Sequence, residues 1–278
     1  MSALPALPEL QLIAVDPRAA GMDGARMSFM QAGHGPDTVL LLHGIGSNCT
    51  AWRFMFEALR ADYSVIAWNA PGYYLSDHLH SAAPSNWQYA DALAALLDAL
   101  DIEAAHVAGS SFGSMVGASF AARHPQRVRR LALLGASRGQ KWLPPEERAR
   151  RLAMRDATAA EGAVAMSEKR WRVLLGPDAD DTTIRLTREV LMATHPRGLM
   201  QAARASDSTD VCEFAGSVAA PTLVITGDYD QVNPPAIGQA IAAAIAGSRI
   251  EILPGIGHLP KLEAPAATAR LLRDHFGA

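Results

Sequence analysis

Residues 105–117 read AHVAGSSFGSMVG, an apolar run that stops at two adjacent serines and continues as a string of small residues. The pentapeptide Gly109-Ser110-Ser111-Phe112-Gly113 fits the pattern G-x-S-x-G only when Ser111 is its centre, because centring on Ser110 would require glycine at Ala108 and Phe112. The pattern has a steric meaning. A serine on a sharp strand-to-helix turn has a strained backbone and very close neighbours, and flanking glycines carry no Cβ to clash there. AAHVA before the motif is of strand type, and Gly113, Ser114, Gly117 and Ala118 after it are small enough to pack a helix tightly on a sheet. The stretch therefore predicts a strand, a turn that exposes Ser111, and a helix.

Outward from this unit the same alternation repeats. The runs TVLLLHG, YSVIAWNA, RRLALLGA, PTLVITG and SRIEILPG are short and apolar, and the longer helical patterns TAWRFMFEALRAD, NWQYADALAALLDAL and PAATARLLRDHF lie among them. This predicts an α/β fold with a mostly parallel sheet and helices on its faces. Continuous rather than alternating apolar residues in LLL and ALL indicate strands covered on both sides. LQLIAV and ARMSFMQA predict an antiparallel pair added at one edge. No strand is legible from about Ser137 to Val211, where PPEERARRLAMRDATAAEG opens a helix and further helical stretches follow, punctuated by Gly176-Pro177 and His195-Pro196. The expected organisation is a core built from residues 1–136 and 211–278, with a helical insertion over 137–210.

A chain of 278 residues, 49% hydrophobic and 19% charged, can bury one catalytic-size core. Its net charge of −3 offers no electrostatic reason to expect nucleic acid or an anionic membrane surface as partner. The N-terminal stretch MSALPALPELQLIAVDP has no basic segment and no long apolar run, and no later stretch approaches a membrane span, so the expectation is a soluble, cytoplasmic protein. Cys49 and Cys212 are too few for a disulfide framework, and no cluster has metal-ligand spacing. Neither metal nor cofactor is expected.

A serine hydroxyl reacts at neutral pH only with a base beside it and an acid to orient that base. In the chain order Ser, acid, His, both partners fall after Ser111. The run SRIEILPG leads into a glycine-flanked loop carrying His258, whereas His124 and His195 each precede a proline at a helix end and His275 lies in the terminal helix. His258 is thus the expected base. After PTLVITG stand Asp228 and Asp230; Asp230 lies further into the loop and is the expected acid, while Asp228 suits a turn cap.

Ser111, Asp230 and His258, with His43-Gly44-Ile45-Gly46 upstream, resemble the α/β-hydrolase fold superfamily from about Thr38 to Phe276. The resemblance implies eight strands, a helical cap after the sixth, and an oxyanion hole made by the backbone N–H groups of Ile45 and Phe112. His43 reads as structural in its loop. A serine at the elbow argues against the dehalogenase and epoxide hydrolase branches, which use aspartate there. WNAPGYYLSD is similar to the family's D-x-P-G-x-G-x-S-D loop but has Asn69 and Tyr74 where Asp and Gly are usual, and Tyr74 is a residue that could narrow the pocket.

Esterases and enol-lactonases are the nearest general match, which implies a hydrolase acting through an acyl-enzyme on the ester or lactone of a small, largely apolar molecule. Carbon–carbon bond hydrolases of ring-cleavage dienoates are the runner-up, weakened by Phe112-Gly113-Ser114 after the nucleophile position and by Leu259 after the histidine. Cofactor-free haloperoxidases and perhydrolases share the triad, and a ligand-binding member of the fold is the remaining class. Tyr74, Trp142, Trp171 and Leu259, with Met154, Met166 and Met192, are the expected pocket candidates. The arginines of ERARRLAMR and EKRWR read as solvated helix faces, with recognition of a substrate carboxylate as their alternative. The sequence leaves a homodimer open.

Overall fold

Eight strands, β1 Leu10–Ala14, β2 Arg26–Ala32, β3 Asp37–Leu42, β4 Tyr63–Trp68, β5 Ala105–Ser110, β6 Val128–Leu134, β7 Thr222–Gly227 and β8 Arg249–Leu253, form one sheet in the order β1-β2-β4-β3-β5-β6-β7-β8. The computed structural model describes residues 4–277; residues 1–3 and 278, the outer ends of the segments expected to build the core, lie outside them. β1 and β2 pair antiparallel at the edge, as their sequence predicts, β2 joins β4 antiparallel, and every later pairing is parallel.

The LLL run is continuous because the sheet is covered twice. Val39 and Leu41 of β3 pack with Trp52, Met55 and Phe56 on one face, while Leu40 and Leu42 pack with Leu93, Val116 and Phe120 on the other. After α1 (Pro17–Ala20), the first face is covered by α2 (Arg53–Leu59). The second is covered by α3 (Asn86–Ala99) and α4 (Phe112–Arg123). Gly117 of α4 keeps that contact close: a Cβ there would stand 3.3 Å from Leu131 Cδ1 and 3.4 Å from Val107 Cγ1, so those side chains would have to give way.

Four helices, α5 (Pro145–Glu161), α6 (Ala163–Leu174), α7 (Asp181–Met192) and α8 (Pro196–Asp207), lie between β6 and β7. Their ends meet at a narrow neck. Arg138 donates to both carboxylate oxygens of Asp210 at 2.7 and 2.6 Å, the backbone N–H of Val211 donates to Arg138 O at 2.8 Å, and Gly139 bridges Asp210. Beyond β7 stands α9 (Pro235–Ala244), a helix the sequence reading did not identify, and α10 (Pro260–Glu263) and α11 (Pro265–Phe276) complete the chain, α11 joining α2 on the first face. PAIGQAIAAA has almost no polar residue, so it carries no polar-apolar period to read.

Because β3 and β5 to β8 run parallel, their carboxyl ends lie along one edge of the sheet. The loops leaving them carry His43 to Ser47, Ser111, Gly135, Asp230 and His258. Open α/β sheets characteristically bind ligands at this edge.

Candidate active site

Ser111 links β5 to α4 with φ 55° and ψ −116°, a backbone conformation that non-glycine residues rarely adopt. Hydrogen bonds hold it there: its N–H donates to Leu134 O at 2.9 Å, and its carbonyl accepts the Ser114 N–H at 2.9 Å, the Ser114 hydroxyl at 2.5 Å and the Met115 N–H at 3.4 Å. The glycines do what the motif asks of them. A Cβ on Gly109 would stand 2.2 Å from Gly113 O, and one on Gly113 would stand 2.2 Å from Leu42 O. Gly44, in the loop after β3, lies against the Ser111 side chain, where an added Cβ would be 3.2 Å from Ser111 Cβ.

His258 and Asp230 are both buried, and His258 Nδ1 lies 2.7 Å from Asp230 Oδ2. A carboxylate oxygen only accepts, so the ring donates from Nδ1, and in the neutral ring that tautomer keeps the lone pair on Nε2. The other oxygen of Asp230 accepts the N–H groups of Val232 at 2.9 Å and Asn233 at 2.8 Å, which fixes the carboxylate plane. Asp228 is exposed instead and accepts the Gly255 N–H at 2.7 Å, tying the end of β7 to the loop that carries His258. Gly135 must lack a side chain, since a Cβ would stand 2.6 Å from His258 O.

Ser111, His258, Ile45, Phe112 and Leu259 line one cavity between the sheet edge and the inserted helices. Phe112 opens α4, so its N–H has no acceptor within the helix. No acceptor of the Ile45 N–H is present among the described residues either. Two unpaired amides beside a serine side chain form a place where negative oxygen can be stabilised. His43 does not line this cavity. Its Nδ1–H donates to Gly44 O at 2.8 Å and its Nε2 accepts the Ala70 N–H at 3.0 Å, while burial pushes its pKa down to about 4 and keeps it neutral.

The expected pocket residues divide. Leu259 lines the cavity, with Leu174, Val190, Leu191, Val232 and Leu262 as further apolar wall. Tyr74 does not: it turns, at φ 37°, toward a separate hollow shared with Leu7 and Arg53. Its neighbour Tyr73 is the buried one, with its ring edge-on to His43 at 4.9 Å. Trp142 is also displaced, 43% exposed at the neck with Arg138 stacked over it at 4.9 Å. Trp171 is half-buried under Arg172 and away from the cavity, Met154 and Met192 are exposed, and Met166 packs behind the Ile45-Gly46 loop. Size and apolarity singled these residues out, but helix phase aims Trp171, Met154 and Met192 elsewhere, and Tyr74 and Trp142 stand in loops that turn away.

Sequence reasoning missed two residues of α10, just after His258. Glu263 accepts the N–H groups of Gly176 at 2.6 Å, Gly257 at 3.0 Å and Leu259 at 2.9 Å, tying the His258 loop to the end of α6. Lys261 is only 2% exposed, lines the cavity, donates to Ser110 Oγ at 2.8 Å and lies 5.0 Å over the Trp52 ring. Burial pushes its ammonium down to about 7, against a smaller opposing pull from Glu263. Lysine is seldom buried, so nothing local marks this one. The arginines also depart from the solvated reading, since Arg151, Arg155 and Arg170 line the cavity. Among the described residues no group of three or more His, Cys, Asp or Glu is arranged to hold a metal, and no helix is long and apolar enough to cross a membrane.

Residues 37–265 match the family described as alpha/beta hydrolase fold. Similar chains include the 2-hydroxy-6-oxononadienedioate/2-hydroxy-6-oxononatrienedioate hydrolase of Cupriavidus pinatubonensis, 28% identical over 263 residues that cover 91% of each chain. The pimeloyl-acyl-carrier-protein methyl ester esterase of Chromobacterium violaceum is 30% identical over 252 residues, 88% of this chain and 95% of its own. A solved hydrolase structure from Pseudomonas aeruginosa, 29% identical, superposes with a TM-score of 0.84 over 97% of this chain and 99% of its own.

Proposed function

The chain belongs to the alpha/beta hydrolase fold family and is a hydrolase, and from that premise we propose that it cleaves a carboxylic ester or lactone of a small molecule through an acyl-enzyme on Ser111. The observation that carries this reading is the strained turn at Ser111 sharing one cavity with the 2.7 Å His258–Asp230 pair. In the proposed reaction His258 Nε2 accepts the hydroxyl proton as Ser111 Oγ attacks the carbonyl carbon. Asp230 holds the ring and stabilises the imidazolium. Negative charge that develops on the carbonyl oxygen is met by the N–H groups of Ile45 and Phe112, a contribution of roughly 3 kcal/mol per donor. The leaving alcohol takes the proton from His258, and water, deprotonated by the same ring, releases the acid. In this reading residues 137–210 act as a cap that covers the acyl chain.

Incubation with 4-nitrophenyl butyrate tests it. Wild type should release nitrophenolate with Ser111 acylated on rapid quenching and peptide mass analysis, while Ser111→Ala should fold and show neither. An acyl group found elsewhere, or undiminished turnover by Ser111→Ala, sinks the reading.

The second reading, hydrolysis of a carbon–carbon bond in a dienoate, is favoured by the Cupriavidus relative, which is named for a dienedioate substrate. Loss of the ultraviolet band of a ring-cleavage dienoate, with no ester turned over, would select it.

A further inference from the structure

The helices α5 to α7 carry nine arginines and lysines, and most find a carboxylate. Arg148 pairs with Asp207, Arg150 and Arg151 with Glu147, Lys169 with Glu161, Arg185 with Glu189 and Arg188 with Glu168, while Arg172 stacks on Trp171. Arg155 and Arg170 differ. Among the described residues neither guanidinium has an ion-pair or hydrogen-bond partner, and Arg155 Nη1 is sealed from solvent. Both line the catalytic cavity, and both also line the smaller cavity beside Ile45 and Gly46. Among the described residues no Asp or Glu lines either one.

A third donor lies close to both guanidinium groups. Tyr73 is 1% exposed and lies near both Arg155 and Arg170; the Gly46 N–H stands beside its oxygen, and no acceptor for its hydroxyl proton is present among the described residues. Thr187 Oγ1, on the cavity wall, is likewise buried and unpartnered. Burial weakens the hold of Arg155 on its proton, down to about 10, and the neighbouring Arg170 adds to that effect. Two partly buried cations and two buried hydroxyls gathered without an acceptor are costly in the free protein, and an anion seated among them lowers that cost. A carboxylate fits because its two oxygens match the forked donors of a guanidinium.

We propose that Arg155, Arg170 and the Tyr73 hydroxyl form a carboxylate-binding subsite beside the Ile45–Gly46 loop, and that the substrate is a half-ester or lactone of a dicarboxylic acid, its free carboxylate there and its scissile carbonyl at Ser111. The substrate class rests on the hydrolase reading of Ser111; the subsite itself can be tested without turnover.

Two measurements test it. In the first, kcat/KM is measured for monoethyl and diethyl esters of straight-chain C4 to C8 dicarboxylic acids. The best monoester should exceed its diester about 100-fold, the scale of one charge-assisted bidentate contact. Arg155→Met and Arg170→Met should each lower that ratio at least about tenfold, mainly through KM, and Arg172→Met should leave it unchanged. A wild-type ratio near one, or a ratio indifferent to both variants, overturns the subsite. In the second, calorimetry follows binding of C5 to C7 dicarboxylates to Ser111→Ala protein. Binding that disappears when Arg155→Met or Tyr73→Phe is added supports the subsite, and no binding to Ser111→Ala overturns it. Failure of wild type to cleave any ester while Ser111→Ala still binds dicarboxylates would instead reject the hydrolytic role of Ser111.

Discussion

Lys261 Nζ donates a 2.8 Å hydrogen bond to Ser110 Oγ, so the loop that carries His258 is fastened to the turn that carries Ser111. The two adjacent serines thus have separate work: Ser110 anchors a buried cation and Ser111 faces the cavity. Ser110→Ala should keep most ester hydrolysis yet lose about 1–3 kcal/mol of stability near pH 6, because the ammonium loses its acceptor. Chemical denaturation and initial rates check this. An inactive Ser110→Ala beside an active Ser111→Ala would move the nucleophile.

The same lysine makes stability depend on pH. Its ammonium is pushed from 10.5 to about 7 by burial, so between those values the unfolded chain holds a proton that the folded chain has released. Stability then rises with pH across that window and is lowest below about 7, where folding must bury the charge. Lys261→Met should therefore be more stable than wild type at pH 6, with the gap closing by up to ~5 kcal/mol toward pH 10. A gap that is constant from pH 6 to pH 10 would show that the ammonium does not titrate in this range.

Asp230→Asn should lower kcat by roughly 10⁴, since the amide cannot stabilise an imidazolium or enforce the Nδ1–H tautomer. Asp228→Asn disturbs only the turn at Gly255 and should lose far less. Initial rates of the two purified variants decide, and the reverse ranking would make Asp228 the acid.

Glu263→Ala leaves the N–H groups of Gly176, Gly257 and Leu259 without their acceptor. A loss of about 3 kcal/mol in denaturant unfolding, with a fall in kcat as the His258 loop loosens, is the expected outcome. A variant as stable and active as wild type would show that water replaces the carboxylate fully.

Much of this molecule can be read from its chain, and the reason is locality. The eight strands announce themselves as short apolar runs, and Ser111 is framed by glycines whose missing Cβ atoms the turn requires. His258 and Asp230 follow from strand ends and chain order alone. What resisted reading depends on helix phase and on contacts between distant segments. Arg155 and Arg151 share one basic stretch, yet Arg151 finds Glu147 one turn away while Arg155 turns into the cavity with no carboxylate partner. Trp142 looked like pocket lining and stands at the neck. Lys261 has neighbours typical of an exposed helix start, and only the packing of Trp52 and Ser110 around it reveals its burial.

The neck at Arg138 and Asp210 has an evolutionary reading. Two chain ends held a single bridge apart mean that whatever lies between them adds little loop-closure entropy to the folding of the sheet, whether it is long or short. The 71 residues between Arg138 and Asp210 therefore amount to a replaceable module: lineages can lengthen, trim or exchange it, while the strands, the turn at Ser111 and the His258 loop beneath keep their own foldability.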